Sequence, residues 1–225
     1  MLLLPLGLPF VLLLGLLLAL FVVLVELRVL AYAYRKIGVQ RRYVFAVMLL
    51  TLFGSAVDIP LYSFPSPQVV RIPSADPTHA PINPVTRAAR THRRGTVVAV
   101  NVGGALIPAL ISLYIFLRFG MHARMLLATA IVALVVHQMA RIVPGSGIVV
   151  PMLLPPLLAA GAALLLAFRR APPVAYVAGS MGTLIGADLL NLARVAEIGV
   201  PMVSIGGAGT FDGVFLTGII AGLLA

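Results

Sequence analysis

Apolar residues fall along this chain in long continuous blocks, and the polar residues gather at the block edges. Seven blocks stand out, at roughly 2–27, 43–63, 96–117, 123–143, 148–168, 173–194 and 201–224. A run of about 20 apolar residues is what a helix needs to cross the hydrocarbon core, and no block shows the period of two expected of a barrel strand. The pattern predicts an all-α fold, a polytopic transmembrane bundle of about seven spans, with residues 1–225 as a single integral membrane domain. Residues 64–95 break the pattern. They hold six prolines, five arginines and few large apolar residues, which predicts an irregular extramembrane loop. The first block lacks a preceding basic residue and a small-residue cleavage site, so it reads as a retained first helix.

Proline adds detail to this outline. Pro108 falls inside the third block, and Pro144, Pro151, Pro155 and Pro156 crowd the start of the fifth. Proline frees backbone carbonyls, which at membrane depth must find protein or water. A broken segment lining a cavity and a kinked helix repaired by its neighbours both fit.

The composition agrees: 61% hydrophobic, 10% charged, with a mean hydropathy of +1.13. A net charge of +10 would point to nucleic acid were the charges not so placed. Arg28, Arg35, Lys36, Arg41, Arg42, Arg118, Arg124, Arg169 and Arg170 all fall on one side when seven spans alternate. There they meet lipid phosphates, so no nucleic-acid partner is expected and the lipid bilayer is the expected one. Seven basic residues fall on the other side: five in the 64–95 loop, plus Arg141 and Arg194. The nine-to-seven excess puts the N-terminus outside and the C-terminus in the cytoplasm of a prokaryotic cell membrane. The absence of cysteine excludes disulfides, thiolate catalysis and thiolate metal sites.

The candidate chemistry lies in two acids. Asp188 and Asp212 sit inside consecutive glycine-rich apolar blocks, GTLIGADLLNLAR and SIGGAGTFDGVFLTG. A carboxylate near mid-bilayer costs about 2.5–3.5 kcal/mol on insertion scales, so an intramembrane acid pair is a site hypothesis. Gly182 with Gly186 and Gly209 with Gly213 have the four-residue spacing that lets helix backbones approach, and Gly207 lies beside them. A supporting polar set falls in the same half of the membrane: Asp58, Asn101, His137, Arg141, Asn191 and Arg194. His137 and Arg141 are four apart and expected on one helical face, and Asp188, Asn191 and Arg194 step by three. The alternative is a structural ion network in which Arg141 and Arg194 neutralise the acids. No metal site and no cofactor are expected.

Five strings, GSAVDIPLY (54–62), VNVGGALIP (100–108), RIVPGSGIVVP (141–151), GTLIGADLLNL (182–192) and SIGGAGTFDGVFL (204–216), together resemble a prokaryotic membrane-protein family, domain of unknown function 1614. The resemblance implies a polytopic membrane protein and supplies no activity. A looser similarity, carried by Asp188 and Asp212 only, is to intramembrane aspartyl proteases of the presenilin and prepilin-peptidase type. It implies a catalytic dyad.

Three functional readings follow. In the first, an intramembrane aspartyl hydrolase, Asp188 and Asp212 share a proton and cleave a transmembrane peptide substrate. In the second, a proton- or ion-coupled transporter or channel, the same acids alternate between protonated and ionised forms. In the third, a non-catalytic assembly or lipid-binding component, the buried polar residues only fix the fold. The sequence does not choose between an enzyme and the others.

Overall fold

Strands begin where the hydrophobic pattern predicts the ends of membrane helices. The computed structural model describes residues 7–64, 96–143, 147–197, 201–207 and 213–225. Seven α-helices run through it: α1 (Gly7–Lys36), α2 (Arg41–Gly54), α3 (Ile107–Phe119), α4 (His122–Met139), α5 (Leu154–Ala167), α6 (Ala171–Thr183) and α7 (Gly213–Leu224). Five short strands accompany them: β1 (Asp58–Phe64), β2 (Thr96–Asn101), β3 (Arg141–Val143), β4 (Gly147–Val149) and β5 (Met202–Ile205).

The mostly helical architecture agrees with the membrane bundle of the sequence reading, but the count of seven full spans is not confirmed. Among the described residues four helical stretches are long and apolar enough to cross a membrane: Val11–Lys36, Val102–Phe119, His122–Met139 and Leu154–Arg194. The last folds back on itself. Ala167 (φ −147°) and Arg170 (φ −139°) leave helical geometry on either side of a tight turn, Phe168–Arg170, and α5 then packs along α6. Helices α2 and α7, of 14 and 12 residues, are about 18–21 Å long, short of a hydrocarbon core of about 30 Å. The missing length is strand. Asp58–Phe64, Thr96–Asn101 and Met202–Ile205 are rich in β-branched or aromatic residues and form a sheet in the order β1-β2-β5. β1 and β2 are antiparallel, with a register shift between Pro60 and Tyr62; β2 and β5 are parallel. A proline at such an irregularity costs the ladder no regular hydrogen bond.

The prolines mark helix starts rather than kinks. Pro108 sits in the first turn of α3, and Pro155 and Pro156 in the first turn of α5, where a missing N–H is harmless. Pro144 and all of the predicted 64–95 loop except Phe64, which ends β1, lie outside the described residues.

Helix α6 occupies the centre, packed by α3, α4, α5 and α7. Residues 173–180 are buried without interruption, and half of them are alanine, glycine or serine. Small side chains let several helices approach one axis, which matters in lipid, where helix association rests on close packing. The glycines divide the contacts. A Cβ on Gly182 or Gly186 would run into Val132 and Ala133 of α4, whereas one on Gly179 would meet Thr217 and Ala221 of α7. The Gly182/Gly186 pair therefore serves α4, and Gly213 has nothing within 4 Å of its would-be Cβ. A second apolar cluster, Val98, Ala105, Leu184, Ile205 and Val214, ties the sheet to the bundle.

Candidate functional site

The sheet brings together acids and amides that lie far apart in sequence. Asp58 opens β1 and pairs in register with Asn101, the last residue of β2. The Asn101 Nδ2 donates to Asp58 Oδ1 at 3.1 Å and to the Ser55 carbonyl at 2.8 Å. Its Oδ1 accepts from the Gly104 amide at 2.8 Å, capping the π-helical turn Val102–Leu106 that leads into α3. Both amide hydrogens and the carbonyl are thus used, which fixes the orientation of a side chain that is almost wholly buried. From the far side of β2, the Ser204 hydroxyl on β5 donates to the same Asp58 oxygen.

Two residues beyond Ser204 the chain turns. Gly206 has φ +73°, and a Cβ there would lie 2.6 Å from the Ala105 Cβ and 2.7 Å from the Ala105 nitrogen. Only glycine fits so tight a left-handed turn. The turn aims the Gly206 amide at Asp188, whose Oδ2 accepts from it at 2.8 Å. Asp188 ends a second π-helical turn, Leu184–Asp188, after which the chain tightens into the 3-10 helix Leu189–Glu197. π turns recur at functional sites because they re-aim a side chain. Here one is capped by Asn101 and the other presents Asp188, and residues 204–206 link the two.

The remaining predicted residues sort as follows. Asn191 is buried; its Nδ2 donates to the carbonyls of Ala187 (2.9 Å) and Gly186 (3.1 Å) and lies 3.3 Å from His137 Nδ1. Arg141 and Arg194 are exposed. His137 and Arg141 do not share a helical face: Ala140 turns extended (ψ 124°) and Arg141 starts β3. Asp212 and Gly209 lie outside the described residues, so the described structure contains no Asp188–Asp212 pair. Gly207 lies beside Ser204, whose Oγ would be 2.5 Å from an added Cβ, so it serves the strand turn rather than a helix seam. Among the described residues no group of three or more His, Asp or Glu residues could hold a metal ion.

Ser204 and the amides of Gly104 and Gly206 are members that the sequence reading did not single out. The short β-branched runs MVSI and TVVAVN carry the signal for strands, and the parallel register then sets Ser204 opposite Ala99, two positions from Asn101 and so on the same face.

A family model described as a protein of unknown function, DUF1614, matches residues 52–224. The chain belongs to the DUF1614 family. The match covers every residue of the cluster and leaves out α1 and most of α2. No curated protein and no solved structure matches the chain. For this DUF1614 member the comparisons show no similarity to intramembrane aspartyl proteases.

Proposed function

We propose that the protein is a proton- or cation-coupled membrane transporter or channel component, with Asp188 and Asp58 as the groups that take up and release the charge. The observation that supports this reading is the break of the α6 segment at Asp188, where the carboxylate meets the amide of a strand turn instead of a basic side chain. Discontinuous helices around polar groups are a recurring way to build an ion site in a membrane. Helix α3 adds its N-terminal end to the same cluster through Asn101, and a helix N-terminus favours negative charge beside it. The cluster is assembled by hydrogen bonds that an acid keeps or loses with its proton, which is what a coupling site requires.

The test is reconstitution of the full chain in vesicles with a trapped pH dye and an imposed ion gradient. The parent chain should move protons, Asp188→Glu should keep part of the flux, and Asp188→Asn should abolish it while circular dichroism stays unchanged. No flux from the folded parent under any cation gradient would refute the reading. Loss of stability without loss of flux would favour a purely structural cluster.

The aspartyl hydrolase reading has one supporting observation. Val214, two positions after Asp212, packs in the same apolar cluster as Leu184 at the start of the Asp188 turn. Cleavage of a transmembrane peptide, lost in both Asp188→Asn and Asp212→Asn, would establish it. The proposed location is the prokaryotic cell membrane, with the basic end of the bundle facing the cytoplasm.

A further inference from the structure

A cavity of about 380 Å³ opens between α1 and α2 at the basic end of the bundle, away from the Asp58–Asp188 cluster. Three arginines line it, Arg28 and Arg35 from α1 and Arg41 from α2, against an apolar wall that includes Leu24, Leu27 and Phe45. Leu24 and Arg28 are four apart and Arg28 and Arg35 seven, so they share one face of α1. A guanidinium cannot shed its charge, so three of them beside hydrocarbon call for an anion. No acid lines the groove. Glu26, two positions from Arg28, projects from a different side of the helix.

The layout also has a depth. Arg35 and Arg41 flank the short α1–α2 connection, while Arg28 lies seven residues, about 10 Å, further along α1. Two charges therefore sit at the mouth, and apolar surface dominates the walls, with Arg28 part-way along them. A ligand that is anionic at one end and aliphatic at the other fits this gradient; a free anion would leave the wall unused. We propose that the α1–α2 groove is a binding site for one anionic phospholipid. Arg35 and Arg41 hold its phosphate, Arg28 adds a charge part-way along the wall, and an acyl chain lies along Leu24, Leu27 and Phe45.

The chain has no tryptophan, so a single introduced one reports locally. The F45W variant places it in the groove; L134W places it on the exposed flank of α4 as a reference. Each full-length variant is put into phosphatidylcholine vesicles containing either brominated phosphatidylglycerol or brominated phosphatidylcholine of the same chain length, and quenching is read. The expected result is a preference for phosphatidylglycerol of about five-fold or more at the groove and none at the reference. Adding R28Q/R35Q/R41Q should remove the preference, whereas R124Q/R169Q/R170Q, which removes equal charge from the same end, should leave it. Survival of the preference in the first triple, or equal loss in both, would overturn the proposal. So would abolition by millimolar inorganic phosphate, which would mark a phosphate site rather than a lipid site. Absence of quenching by either lipid would also overturn it, since a protein segment would then fill the groove.

Discussion

Replacing Gly206 by alanine should be among the most damaging single-methyl changes available to this chain, and its cost can be divided into parts. The backbone part is the left-handed conformation at φ +73°, which costs an L-residue about 1–2 kcal/mol. The packing part comes from a Cβ placed 2.6 Å from the Ala105 Cβ, 2.7 Å from the Ala105 nitrogen and 2.8 Å from the Gly104 carbonyl carbon. Two of these three neighbours are backbone atoms inside a capped π turn and cannot swing aside, so about 1–3 kcal/mol of overpacking is added. Gly120 supplies the control. It ends α3 at φ +63° and has nothing within 4 Å of its would-be Cβ, so Gly120→Ala carries the backbone part alone. In detergent micelles titrated with SDS and followed by far-UV circular dichroism, G206A should lose about 2–5 kcal/mol and G120A about 1–2. Adding A105G to G206A should recover less than half of the difference, because the two backbone overlaps persist. Equal losses for G206A and G120A would refute the reasoning, since the turn would then not be pressed against the start of α3.

Further outcomes can be checked with the same titration. Asn101→Ala should cost about 2–4 kcal/mol, because the Gly104 amide and the Ser55 carbonyl lose their side-chain partner at a buried site. Asp188→Asn keeps an oxygen for the Gly206 amide and should change stability by less than about 1 kcal/mol, whereas Asp188→Ala should cost about 1–3. Gly186→Ala drives a methyl into the Ala133 carbonyl and should cost about 1–3 kcal/mol, while Gly161→Ala, with open space around it in α5, should be neutral or stabilising.

Much of the architecture was legible because hydrophobic length is a strong signal in membrane chains. α5 falls within its predicted block, α3, α4 and α6 overrun theirs by one or two residues, α1 continues nine residues past its predicted end to Lys36, and the connection from Arg169 to Arg170 is a turn as expected. The strands were not legible from length. A short apolar run bounded by turns reads equally as strand or helix by periodicity, and blocks 43–63, 96–117 and 201–224 each join both kinds. Pro60 and the valine-rich run in Thr96–Asn101 were the local hints. The site was half legible: Asp58, Asn101 and Asp188 were flagged as polar residues in costly places. Their partners were not, because pairing depends on register. The Asp58–Asn101 bond needs β1 and β2 in antiparallel register, and the Asp188–Gly206 bond needs a left-handed turn after β5.

The sheet that holds the cluster also sets an order of events during synthesis. Asp58 emerges 146 residues before Ser204, whose hydroxyl completes its hydrogen bonds. At about 5–20 residues per second that gap amounts to roughly seven to thirty seconds of elongation. Throughout it β1 and β2 can pair only with each other, and the edge that β5 will occupy stays open within or beside the bilayer. A chain stopped before residue 202 would carry an unpaired strand edge at the polar end of its bundle, a template for joining another chain. Closure of β5 on β2 is therefore a late checkpoint of assembly, and the candidate site comes into being only when it is passed.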